Sequence, residues 1–263
     1  MDPSTAGHGG NNRITRFYDD IAAWYDTWVG AGPLLADPFF GPLAPLLGDV
    51  AGLRLCDLAC GQGRVSRHLA SSGARVVGVD SSRELLTIAR RYQAASPDGV
   101  AYLRADAQDL RAVQDAVFDG VICHMALMDI PDLTATLGAT ARVLRPGGWL
   151  AFSVLHPCFN TPTSGEGVDR HGALCRTING YWDEGYWRVD DRPGPPGQLG
   201  AYHRTLGTYI NAAIEVGLTV DRVVEPTAPP NLAERRPIWR EVPAALIVRC
   251  GKSAATIEAA IAR

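Results

Sequence analysis

The chain has 263 residues, 46% hydrophobic and 20% charged, a globular composition with enough length for one large domain and a sizeable core. A formal net charge of −3 and an isoelectric point near 6.1 exclude an overall cationic footprint and argue against a nucleic-acid partner. The six cysteines include no CxxC pair and no metal-ligand spacing is visible, so buried thiols and metal-free chemistry are expected.

Residues 1–15 read as a flexible tail, because the opening stretch is small and polar with no apolar core. No signal peptide or bilayer-length apolar run is present, which predicts a cytoplasmic protein without a membrane partner, as a monomer or homodimer. From Leu53 the chain alternates short apolar runs with helical patterns. Leu53 to Leu58 reads as a strand, followed by Gly61-Gln62-Gly63 and a helix over Arg64 to Ser72. Arg75 to Val79 is a second strand, then a helix over Ser82 to Ala95 with Ser81 or Ser82 as its cap. Val100 to Arg104 and Phe118 to Cys123 are the third and fourth strands. A helix over Asp132 to Leu144 stops at the turn Arg145-Pro146-Gly147-Gly148, and Trp149 to Leu155 is the fifth strand.

That alternation predicts an α/β, doubly wound sheet with helices on both faces, and ligands gathered beyond the carboxyl ends of the strands. Residues 156–201 break the rhythm with Gly, Pro and aromatics, and read as an inserted substrate-side lid on a single domain spanning 16–263. Tyr202 to Val216 reads as a helix. Val220 to Glu225 and Ala244 to Cys250 are two final strands, joined by the Pro-rich stretch between them.

Three acids at strand ends carry the chemistry. Asp57 precedes Gly61-Gln62-Gly63, where glycines let the backbone turn tightly and approach a ligand. Ser66 replaces the third glycine of a dinucleotide-binding G-x-G-x-x-G, and the acid before the glycines repels a pyrophosphate but suits an ammonium group. Asp80 closes the second strand, seventeen residues past Gly63, and can accept both hydroxyls of a ribose; its plain alternative is a helix cap. Asp106, beside Ala107, can meet an adenine amino group or cap a short helix.

The order of these motifs resembles the class I S-adenosylmethionine-dependent methyltransferases. Phe118 to His124, Leu127 to Asp132, Leu144 to Gly148 and the opening helix Tyr18 to Asp26 support the resemblance, which is weakest across the insertion. It implies a Rossmann-like, mostly parallel seven-stranded sheet with an antiparallel last strand. It implies S-adenosyl-L-methionine as cofactor and S-adenosyl-L-homocysteine as product. Asp57, Ala59, Gly61 and Gly63 would hold the methionine moiety, Asp80 and Ser81 the ribose, Asp106 and Ala107 the adenine, and Cys123 the cofactor by its backbone. Tyr18 or Tyr25 would close over the methionine end.

The acceptor is read as a small aromatic or heterocyclic metabolite, methylated on nitrogen, oxygen or carbon by in-line transfer. The alternatives are an RNA-modifying enzyme, or a cofactor-binding relative that does not methylate. His124, His156 and His203 are the candidate general bases, each with the plain alternative of ordering a loop. Met125, Met128, Tyr181, Trp182 and Trp187 are the candidate substrate contacts, the aromatics serving either as a wall over a planar substrate or as pins for the lid.

Overall fold

The computed structural model describes residues 11–30, 32–95, 99–188 and 195–254. In chain order the first half comprises α1 (Asn11–Val29), α2 (Ala44–Leu47), β1 (Arg54–Leu58), α3 (Arg64–Ser71), β2 (Arg75–Asp80), α4 (Arg83–Ala95), β3 (Ala101–Arg104), β4 (Phe118–His124), α5 (Leu133–Val143) and β5 (Leu144–Leu155). Then come β6 (Gly165–Val168), β7 (Leu174–Thr177), β8 (Gly185–Trp187), α6 (Pro195–Leu199), β9 (Ala201–His203), α7 (Leu206–Glu215), β10 (Leu218–Val224), α8 (Pro230–Arg235) and β11 (Ala245–Lys252).

Seven strands form one sheet in the order β10-β11-β5-β4-β1-β2-β3. The pairs β1–β2, β1–β4, β2–β3 and β4–β5 are parallel, while β11 runs antiparallel to both β5 and β10. Strand order reverses between β1 and β4, and the crevice at such a reversal is where open α/β sheets bind ligands. Alternate side chains serve opposite faces of the sheet. Val121, Cys123 and Phe152 pack on Leu137 and Ala213 of α5 and α7. Ile122, Ala151 and Ile247 join Val65 and Leu69 of α3 and the N-terminal Phe40 and Leu43. Burial on both faces is why these strands are continuous apolar runs.

Four expectations need correction. The tail lies outside the described residues up to 10, but residues 11–15 belong to α1. The helix expected from Tyr202 starts at Leu206, because Thr205 takes the cap position and accepts from Thr208 N–H at 3.1 Å; residues 201–203 instead pair with β8. Arg145 to Gly148 form a bulge inside β5, where Phe118 faces Leu144 but Gly120 faces Trp149. Of the six thiols, Cys158 and Cys175, both in the insertion, are only half-buried. The described residues of the insertion carry two small antiparallel pairings, β6 with β7 and β8 with β9, the latter reaching past the expected end at 201 to His203; residues 189–194 lie outside the described residues. No described helix is long and apolar enough to cross a membrane.

Candidate active site

The chain leaves β1 through a turn that demands left-handed backbone at Ala59, Gly61 and Gly63 (φ +56°, +54° and +78°). The Cys60 N–H bonds to the Val79 carbonyl at 2.9 Å, which ties this turn to the end of β2. A Cβ on Gly61 would touch the Tyr25 ring at 3.4 Å, and one on Gly63 would collide with the Tyr102 hydroxyl. Its positive φ favours glycine at position 63, and a Cβ there would in addition push the Tyr102 side chain aside.

Asp80 serves as cap and as cleft wall together. Its carboxylate accepts from Gly61 N–H at 2.8 Å and from Ser82 N–H at 2.8 Å, while the Ser82 hydroxyl caps α4 through Leu85 N–H at 3.1 Å. Burial raises the Asp80 pKa and the backbone N–H donors oppose the rise. Asp57 is fully enclosed, accepts from the Ser66 hydroxyl at 2.5 Å, and is pushed up to about 7 by burial.

Over the carboxyl ends of these strands lies a cleft of about 750 Å³, its open mouth included. Ala105, Asp106, Ala107 and Gln108 line one end, with Asp106 accepting from Gln108 N–H at 2.9 Å. Ala59, Gly61, Asp80 and Ser81 line the middle, and His124, Met125, Ala126, Asp129, Ile130 and Pro131 the other end. Tyr18 and Tyr25 of α1, in edge-to-face contact at 5.5 Å, close it from above. Among the described residues no Lys or Arg lines this wall. Asp57, Gly63 and Cys123 stand behind it rather than in it.

α1 is strapped over the cleft by polar contacts with α4. Asp19 accepts from the Ser82 hydroxyl at 2.5 Å and from Glu84 N–H at 3.2 Å, and Tyr92 donates to Asp26 at 3.0 Å. Sequence reasoning assigned no role to Asp19 or to Asp129. Asp129 lies in the Leu127 to Asp132 match, and an acid so soon after a strand end was its available signal. Tyr18 donates to Asp129 at 2.9 Å, and enclosure pushes that carboxyl up to about 7.

The three histidines are separated. His124 faces the cleft, bonded through Nδ1 to Ser153 Oγ at 2.8 Å and set edge-on to Phe40; burial lowers its pKa to about 4. His156 is bonded through Nε2 to Glu225 at 2.7 Å, and burial lowers its pKa against the pull of that carboxylate. His203 bonds the Tyr181 carbonyl at 2.8 Å. Met125 faces the cleft, whereas Met128, Trp187 and His203 line a second cavity of about 280 Å³ under the β8–β9 pair. The Tyr181 hydroxyl accepts from Leu206 N–H at 2.9 Å, which pins it to the start of α7, and Trp182 is 80% exposed.

A doubly wound sheet with an acid ending β2 and a cleft over the β1–β4 reversal defines a Rossmann-like nucleoside-binding enzyme. Comparison with known proteins narrows that class. A family model described as a methyltransferase domain matches residues 56–152. A crystal structure of an S-adenosylmethionine-dependent methyltransferase from Mesorhizobium loti superimposes with a TM-score of 0.73 at 31% identity, covering 84% of this chain and all of that one. A similar structure from Listeria monocytogenes gives 0.69 at 26% identity, covering 83% and 99%. Among curated relatives, the ubiquinone biosynthesis O-methyltransferase of Xanthomonas oryzae pv. oryzae is 41% identical over 108 residues, covering 41% of this chain and 45% of that protein. The chain thus spans about half the length of the curated relatives it matches. The chain belongs to the S-adenosylmethionine-dependent methyltransferases.

Proposed function

We propose that this methyltransferase alkylates a small aromatic or heterocyclic metabolite, held at the β4 end of the cleft. The observation that carries the reading is the wall itself, with Asp80, Asp106 and Asp129 on it and, among the described residues, no Lys or Arg. Such a wall attracts a cation and repels a polyanion, which suits a sulfonium and disfavours an RNA backbone. The residues fit S-adenosylmethionine: Asp80 with Ser81 at the ribose, Asp106 with Ala107 at the adenine, and Ala59 and Gly61 beneath the methionine moiety. Tyr18 and Tyr25 close that end, while Asp57, Gly63 and Cys123 support it from behind.

When bound, the cofactor supplies an electrophilic methyl group. The protein's task is to hold a nucleophile in line and keep water out, and positioning of this kind is worth roughly 7–11 kcal/mol of barrier. α1 excludes water from above. Residues 156–188 and 195–201 would cover the acceptor, with Met125 touching it and Met128 and Trp187 shaping the adjoining cavity. His156 and His203, bonded to Glu225 and to a backbone carbonyl, are given positioning roles in that cover.

The curated relatives' names make a hydroxyl the first acceptor class to examine. Methyl-labelled S-adenosylmethionine incubated with the protein and a cell extract, then split into small-molecule, RNA and protein fractions, tests the reading. Label in the small molecules supports it. Label confined to RNA or protein, or absent despite cofactor binding, refutes it.

A further inference from the structure

We propose that Asp129, steadied by Tyr18, is the group that accepts the acceptor's proton at the β4 end of the cleft. The inference rests on the small-molecule reading above and adds to it the residue that meets the substrate. Four observations carry it. Asp129 lines the cleft alongside His124 and Met125, the residues at the end of β4. Among the described residues its carboxylate has one hydrogen-bond donor, the Tyr18 hydroxyl at 2.9 Å, and no ion pair. A carboxylate offers about four lone-pair positions, so most of its accepting capacity is left for a ligand. The nearby guanidinium of Arg204 is already bonded to the carbonyls of Leu127, Ile130 and Pro131, at 2.9, 2.6 and 2.7 Å. That triple contact fixes the 127–131 turn, and thereby aims Asp129, without consuming its charge.

The other proton acceptors are worse placed or worse tuned. His156 and His203 do not line this cleft, and the ring of His124, with a pKa near 4, holds a proton too weakly at neutral pH. A base titrating near the working pH transfers protons most effectively, and Asp129 is raised to about 7 by burial, with the Tyr18 bond and Arg204 opposing the rise. The groups facing it are Tyr18 and Tyr25 from α1, Arg204 from the segment before α7, Tyr209 from α7, and Cys123 from β4. All but Arg204 are neutral at pH 7, the phenols and thiol being pushed up by burial.

The ligand class is an acceptor bearing a hydroxyl or an N–H at the reacting atom. For a hydroxyl, the carbon–sulfur bond breaks with its pair passing to sulfur, the oxygen–carbon bond forms, and the O–H proton moves to Asp129. The carboxyl then returns that proton to water as product leaves. Atoms and charge balance without a metal or an oxidant.

The test compares wild type, Asp129→Asn and Tyr18→Phe, each loaded with S-adenosylhomocysteine. Infrared difference titration with isotope-labelled aspartate should show two carboxyls titrating near 7 in the wild type, Asp57 and Asp129; the Asp129 part should be lost in Asp129→Asn, moved higher in Tyr18→Phe, and retained on loading. Calorimetry should show S-adenosylhomocysteine affinity unchanged within about twofold in Asp129→Asn. Label transfer into small molecules should fall on the order of 10²–10⁴-fold and lose its acidic limb. A tenfold or greater loss of S-adenosylhomocysteine affinity, matching the loss of transfer, would overturn the proposal by assigning Asp129 to the cofactor's ammonium. Disappearance of the Asp129 part of the titration on loading, or full transfer by the variant, would overturn it too. If the wild type labels no small molecule, the proposed function fails, and the titration and calorimetry still decide which way Asp129 faces.

Discussion

Asp80 and Asp57 lie at the ends of adjacent strands yet meet different demands. Asp80 gives two of its acceptor positions to Gly61 and Ser82 N–H and faces the cleft with the rest. Hydrogen bonds to charged groups are worth about 1.5–3 kcal/mol, so Asp80→Ala should weaken S-adenosylmethionine binding by roughly 10- to 150-fold in calorimetry. Undiminished affinity would remove Asp80 from the ribose. Asp57 makes a prediction about stability. Its native pKa of about 7 lies above the unfolded value, so the native state binds the extra proton more tightly between the two. Stability is therefore greatest below the unfolded pKa and declines as pH rises through the native one. Asp57→Asn should flatten the fall in melting temperature between about pH 4 and pH 7; a wild-type slope retained in the variant would refute that source. All three acids at the strand ends were legible in the sequence, because an acid that closes an apolar run is conspicuous. Asp57's retreat behind the wall was not, since it depends on Ser66 arriving from α3 to meet it.

α1 and α4 show how one element organises another. Asp19 supplies to α4 a cap from outside its own chain segment, joining Ser82 Oγ and Glu84 N–H. Lost caps cost about 1 kcal/mol, so Asp19→Ala should loosen α1 more than it lowers the melting temperature. Hydrogen exchange across residues 18–29 should quicken and S-adenosylhomocysteine dissociation should accelerate in stopped flow; unchanged exchange would show that other contacts hold the helix. The opening Tyr-Asp pattern gave the helix and its two tyrosines to sequence reading. It did not reveal the strap, which joins residues more than sixty positions apart. The start of α7 was misplaced for a local reason: Ala201 to His203 alternate in burial and pair with β8, whereas an apolar count there favours helix. The short strands of the insertion were illegible because Gly and exposed polar residues interrupt any period of two.

Across the whole molecule, the parallel strands β1, β2, β4 and β5 were readable because both faces of each are covered, which leaves a mostly apolar run in the sequence. The order in which they assemble is not written so locally. β11 is inserted between β5 and β10 rather than added at an edge, and it pairs with β5 at seven successive positions, Ala245 with Leu155 through Gly251 with Trp149. A chain still being made on the ribosome must therefore hold β5 with one edge unpaired until residues 245–252 have emerged. Ala245 to Val248 are fully buried in the finished sheet, so the nascent protein exposes both an apolar stripe and an open ladder of backbone groups. A chain released at residue 243 should consequently sediment as aggregate, whereas a soluble, cofactor-binding fragment of that length would show that β5 closes without its partner. An error that ends synthesis before β11 thus removes an interior strand of the sheet, and the cell meets such a product as a substrate for chaperones and proteases rather than as a weakened enzyme.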